Sequence, residues 1–152
     1  MQDEEAATGT WDVGPFDNDE AADFAYALDE TAPDKREELV RATLNRAVQA
    51  PDYLESPQAQ EAVGAPALIA AQCPGGEQIS TSYGPEEALP TFADDLQPLA
   101  VEALDRVAAE ESELAELWDD APDGSKWRQS ISLLRAALAP NSGPRKETLF
   151  DL

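Results

Sequence analysis

Carboxylates are the chemistry-bearing side chains of this sequence, and their densest run lies near the amino terminus. Asp17-Asn18-Asp19-Glu20 offers the oxygen ligands that Ca²⁺ and Mg²⁺ prefer. A calcium loop that begins at Asp17 would be incomplete, because Leu28 stands where its bidentate acid belongs. The same run matches a helix start, with Asp17 as the N-cap and Glu20 three residues later. We therefore predict a helix N-terminus, with a divalent-metal site through Asp17 and Asp19 as the alternative.

A second set of acids follows Asp95, where the apolar spacing predicts one long helix with Leu117 and Trp118 in its buried stripe. The spacing of the acids places most of them along one side of that helix. A solvated face is the ordinary explanation, and a docking surface for Lys and Arg of a partner is the functional one. This candidate partner-binding face consists of Glu102, Asp105, Glu113, Glu116 and Asp120.

The side chains that most enzymes depend on are missing from the sequence. It contains no histidine, which removes the commonest general base and metal ligand. The one cysteine, Cys73, therefore lacks a His partner, and we expect an inert, buried or half-buried thiol. Glycine-rich phosphate-binding loops are also absent. The sequence predicts a protein that is not an enzyme and holds no cofactor or metal.

Charge is the most unusual property of the chain. There are 32 Asp plus Glu against 10 Lys plus Arg, a formal net charge of −22 at pH 7. Such an excess repels nucleic-acid phosphates and anionic membranes and attracts cationic proteins. No apolar run reaches the roughly 18 residues of a membrane span, and the first residues lack the features of a secretory signal. We expect a cytoplasmic protein with a basic protein partner, and no direct nucleic-acid or membrane binding.

The elements that position these acids are helices, because apolar residues recur three and four positions apart. The pattern predicts an all-α, single-domain bundle of about five or six helices. An aromatic N-terminal loop is predicted to pack Trp11 and Phe16 against the bundle. We expect residues 1–8 to be a disordered acidic extension, residues 9–139 the helical domain and residues 140–152 a flexible tail.

Capping and turn residues predict where several helices begin and end. Thr31 is predicted as the N-cap of the second helix, since Pro33 follows in its first turn. Residues 52–54 are typical of a short turn or a single helical turn. Gly64 and Pro66 interrupt an alanine-rich segment, and we expect a kink or break there.

The opening motif resembles a known family. Trp11 with Gly14-Pro15-Phe16-Asp17-Asn18-Asp19-Glu20 is similar to the N-terminal signature of a bacterial domain of unknown function, family 4259. The likeness spans about residues 9–139 and implies a helical protein of bacterial origin without a settled activity. Further matching segments are residues 52–54, 70–76, 111–118 and 127–138. The candidate motif surface consists of Trp11, Asp17, Asn18 and Asp19.

Three functions remain open at the level of sequence. The leading hypothesis is a non-enzymatic acidic interaction protein that binds a basic protein, as an immunity or antitoxin-type protein or a nucleic-acid mimic. The second is a carboxylate-based domain that binds a divalent metal or a small ligand. The third is an acidic helical protein of unknown role whose charge reflects solubility or salt adaptation of the host proteome.

Overall fold

The computed structural model describes residues 14, 16, 18–73, 84–85 and 89–139. Within these residues the protein is an all-α bundle with an isolated β-bridge and no β-strand, which confirms the predicted fold class. A short 3₁₀ turn, Pro33–Lys35, lies between the first two helices. The α-helices are α1 (Asp19–Glu30), α2 (Arg36–Val48), α3 (Ser56–Ala70), α4 (Leu96–Ala108), α5 (Glu113–Asp119) and α6 (Gly124–Leu138).

Helix α3 is the centre of the bundle. It contacts each of the other five α-helices, and eleven of its fifteen residues are buried. Most of its buried side chains are small, so neighbouring backbones approach closely on several sides. The small residues that line this helix are Ala59, Ala62, Gly64, Ala65, Ala67 and Ala70.

The expected break at Gly64 and Pro66 does not occur, because α3 runs without interruption from Ser56 to Ala70. Both residues are buried among neighbouring helices, and packing on all sides holds the backbone helical despite the missing N–H of proline. A Cβ at Gly64 would lie 3.4 Å from the Cβ of Ala21 and 3.4 Å from Cε1 of Phe16. A single Cβ would just fit at this position, whereas a longer side chain would displace α1 from α3.

The first helix begins one residue later than predicted. Its N-cap is Asn18, whose side-chain oxygen accepts a 2.8 Å hydrogen bond from the N–H of Ala21. Asp17, the predicted cap, lies outside the described residues, as does Trp11. Phe16 is buried, as expected for the aromatic loop. The inner face of the helix is also confirmed, since the predicted set is buried: Ala21, Phe24, Ala25 and Leu28.

Thr31 does not start the second helix, contrary to prediction. It ends α1, and its hydroxyl donates a 2.6 Å hydrogen bond back to the carbonyl of Ala27. The chain then turns through Pro33–Lys35 before α2 begins at Arg36. A threonine followed by proline two residues later is compatible with either the start or the end of a helix. Here Thr31 ends α1, because its hydroxyl bonds back to the carbonyl of Ala27.

The predicted long helix from Asp95 is two helices. Residues 109–112 leave the helical conformation, and Ser112 begins α5 as an N-cap that accepts from the N–H of Ala115. The interruption coincides with a parallel bridge between Leu54 and Ser112. Leu54 donates its N–H to the carbonyl of Glu111 at 2.9 Å and accepts from the N–H of Glu113 at 2.8 Å. Residues 52–54 are thus not the predicted turn, because Leu54 is held in this bridge.

The last helix agrees with the sequence pattern. Trp127, Ile131 and Leu138 are buried on α6 and Leu134 is partly buried, as their spacing predicts. Residues 1–8 and 140–152 lie outside the described part of the chain. Among the described residues, no helix combines the length and the apolar character needed to cross a membrane.

The close approach at Gly64 gives a test of the packing. Gly64→Leu should lower the free energy of unfolding by about 1–3 kcal/mol, because a larger side chain forces α1 away from α3. Ala42→Leu, on the exposed face of α2, is the control and should change it by less than about 0.5 kcal/mol. Urea unfolding measures both changes. Equal stability of Gly64→Leu and the parent protein would contradict this packing.

Candidate functional site

The candidate acidic face does not lie along a single helix. Glu102 and Asp105 belong to α4, whereas Glu113 and Glu116 belong to α5 and Asp120 follows its last turn. The interpretation of these acids as one helical stripe is therefore wrong, because the chain leaves the helix at residues 109–112. The five acids form two groups on two consecutive helices.

The acids of α4 differ in how they are used. Asp105 accepts two hydrogen bonds from the guanidinium of Arg135 on α6, at 2.7 and 3.2 Å. This bidentate pair joins α4 to α6. One of the basic side chains near the end of the described chain is therefore paired within the protein. Glu102 is exposed on the same helix.

Two acids of α5 are oriented by hydrogen bonds. Glu113 accepts a 2.8 Å bond from the N–H of Ser56, so its carboxylate caps the first turn of α3. Glu116 accepts a 2.7 Å bond from the hydroxyl of Tyr53. This bond, with smaller contributions from burial and from the charges of Glu116 and Glu113, raises the pKa of Tyr53 to about 12. Asp120 is exposed beside them.

An apolar side chain lies among these acids. Leu117 is 51% exposed, although the sequence pattern placed it in the buried stripe. It follows Glu113 by one helical turn and precedes Asp120 by slightly less than one turn. Tyr53, which bonds to its neighbour Glu116, is 44% exposed. We call Tyr53, Glu113, Glu116, Leu117 and Asp120 the α5 surface.

The α5 surface is fixed to the rest of the protein from beneath. The rings of Trp118 and Trp127 stack with centroids 6.1 Å apart, which joins α5 to α6. Arg128 lies 5.7 Å from the ring centroid of Trp127 and donates to both carboxylate oxygens of Asp119, at 2.9 and 3.0 Å. This pairing lowers the pKa of Asp119. A short helix of seven residues is thereby held in one orientation.

The described arginines are all bonded within the protein. Arg36 is buried and donates to the carbonyls of Leu28 at 2.9 Å and Asp29 at 3.3 Å, which satisfies the C-terminus of α1. Arg106 donates to the carbonyl of Glu111 at 2.9 Å. Within α2, Arg41 pairs with Glu37. The pairs that join different elements are Arg41 with Asp95, Arg46 with Glu61, Arg128 with Asp119, and Arg135 with Asp105.

The candidate motif surface is only partly described. Asn18 is buried and serves as the helix cap, whereas Asp19 is exposed on the first turn of α1. Trp11 and Asp17 lie outside the described residues, and so does half of the alternative metal site through Asp17 and Asp19. In the described ranges, no group of three or more acidic or cysteine side chains is arranged to hold a metal ion.

Cys73 is half-buried, as expected from its position after an apolar helix. Burial raises the pKa of its thiol, and the sulfur lies 3.6 Å from the carbonyl oxygen of Ile69. A raised pKa leaves less thiolate at neutral pH, so the environment does not activate this cysteine as a nucleophile.

The bond between Tyr53 and Glu116 can be tested by titration. Glu116→Gln should lower the pKa of Tyr53 from about 12 toward the ordinary tyrosine value near 10, because the amide carries no negative charge to oppose tyrosinate and can donate a hydrogen bond to it. Tyrosinate absorbance at rising pH measures this, and Tyr53→Phe identifies the phase that belongs to Tyr53. Glu102→Gln removes the same charge from α4 and should leave that phase in place. A Tyr53 phase that does not move in Glu116→Gln would contradict the hydrogen bond.

Comparison with known proteins identifies a family but no activity. Neither a curated protein nor a solved structure matches the sequence. A family model described as a domain of unknown function, DUF4259, matches residues 9–130. This range includes the aromatic opening motif, the α5 surface and the first half of α6. The chain therefore belongs to the DUF4259 family.

Proposed function

We propose that this domain is a non-enzymatic, cytoplasmic interaction protein whose acidic surface binds a basic protein. One observation carries the proposal: the described arginines are bonded within the fold, while many acids in the same described ranges form no ion pair with a described cation. Acids of this kind lie exposed on several elements, including Asp19, Asp23 and Glu30 on α1, Asp34, Asp52, Glu102, Glu110 and Asp120. Much of the acidic charge in the described part of the chain is therefore directed outward and available to a partner.

The size of the charge favours association over simple solubility. A small domain stays soluble with a net charge of magnitude about 2–8, and this chain far exceeds that range. Excess like charge destabilises the compact state through self-repulsion, so it has a cost in stability that a cationic partner would offset. The same field accelerates encounter with a basic surface.

A basic toxin or a nucleic-acid-binding enzyme is the kind of partner that fits this surface. Exposed carboxylates at several positions present negative charge as a phosphate backbone does. A protein of this kind neutralises such a target by covering its basic groove. In this reading the domain is an immunity or antitoxin-type inhibitor, or a nucleic-acid mimic.

Affinity purification from the source organism tests the proposal. The tagged protein should retain one basic protein at low salt and release it between about 50 and 500 mM NaCl, because screening weakens exposed charge pairs. A resin carrying an unrelated acidic protein of similar charge is the control for capture by charge alone. Failure to enrich any protein over that control would contradict the proposal. A partner that stays bound regardless of salt would contradict its electrostatic basis.

A further inference from the structure

Exposed large hydrophobic side chains are few in the described part of the chain, and two of them belong to the α5 surface. These are Leu117 and Tyr53, whereas Tyr26 lies on α1 and Leu133 on α6. Glu113, Glu116, Leu117 and Asp120 are spaced i, i+3, i+4 and i+7, so they share one face of α5, and the Tyr53 hydroxyl bonds to Glu116 on that face. An apolar centre within a polar rim is the arrangement found at protein–protein interfaces.

The rim of this apolar centre is already ordered. The carboxylate of Glu113 is held by the N–H of Ser56, and that of Glu116 by the hydroxyl of Tyr53. Carboxylates that are fixed before binding lose less conformational entropy when a cation pairs with them. The carboxylates of Glu113 and Glu116 can each accept further hydrogen bonds, because a carboxylate has about four acceptor positions.

The base of the surface is rigid for a separate reason. The bridge between Leu54 and Ser112 fixes the segment that carries Tyr53 to the start of α5. The stacked rings of Trp118 and Trp127 fix the other end of α5 to α6. A binding surface supported in this way keeps its geometry without a partner.

We propose that the α5 surface is the docking site and that its occupant is a basic protein segment with an apolar side chain between lysines or arginines. The apolar side chain packs on Leu117 and Tyr53, and the flanking cations pair with Glu113, Glu116 and Asp120. This inference rests on the proposed function, which it makes specific. Charge complementarity favours a basic occupant over a second copy of this chain. A second copy would carry a net charge of −22 and would be repelled by these acids.

Two synthetic peptides of equal charge are suitable probes. In one, lysines flank a central pair of leucines, and in the other serines replace the leucines. The parent protein should bind the leucine peptide about tenfold more tightly, since partial burial of the leucines contributes about 1.4 kcal/mol. Leu117→Ser should abolish most of that preference. Leu133→Ser, which changes an exposed leucine on α6 instead, should retain it.

Amide chemical shifts of the parent protein locate the peptide independently of any substitution. Changes concentrated in residues 52–56 and 113–120 support the proposal. Equal binding of the two peptides, equal loss of preference in both leucine variants, or shift changes centred on α1 would each overturn it. If the peptide instead bound elsewhere on the protein in a salt-sensitive manner, the docking site would be wrong but the proposed function would still hold. Failure of both peptides to bind at low salt would count against both proposals.

Discussion

The fold depends on packing five helices around one helix of small residues. Helix α3 contacts all the other described α-helices, so its side chains set how closely each of them can approach. Gly64 shows how little space remains, because a single Cβ there would already contact Ala21 and Phe16. Each surrounding helix is left with one face toward α3 and one toward water. The outward faces therefore carry the acids, and the surface charge follows from the same arrangement that makes the core.

Most of the described arginines link neighbouring elements of this arrangement. Arg36 on α2 satisfies the C-terminal carbonyls of α1, and Arg41 on α2 reaches Asp95 just before α4. Arg128 and Arg135 join α6 to α5 and α4. Exposed ion pairs of this kind contribute about 0–1 kcal/mol each, so apolar packing supplies most of the stability. These arginines also matter for function. An arginine that is bonded between two helices does not neutralise the acids elsewhere on the surface.

The sequence predicted what depends on local periodicity. The inner face of α1 and the buried positions of α6, such as Phe24 and Trp127, follow from apolar spacing alone. The division between α4 and α5 could not be predicted in this way, since no glycine or proline marks it. It depends on a bridge between Leu54 and Ser112, which are distant in the sequence. Packing around α3 likewise overrode the local signal of Pro66.

The same division explains why the candidate site was only partly predictable. The acids Glu113, Glu116 and Asp120 were recognisable from their spacing. Leu117 was assigned to the buried stripe of one continuous helix, which the structure divides at residues 109–112. Tyr53 gave no sequence signal, because it reaches Glu116 only through the Leu54–Ser112 bridge. Ser112 was the available indication that a new helix begins there, because serine is a common N-cap residue.

The central claim is that a basic protein binds the acids of the α5 surface. Carbodiimide cross-linking in a lysate of the source organism tests it directly, because the reagent couples a carboxylate to a lysine amine without a spacer. The internal pair Lys35–Glu38, separated by 3.7 Å, is the positive control for the reaction. The account predicts links from Glu113, Glu116 and Asp120 to lysines of one basic protein. Links that involve only the protein's own lysines, or a partner joined to the acids of α1 instead, would contradict it.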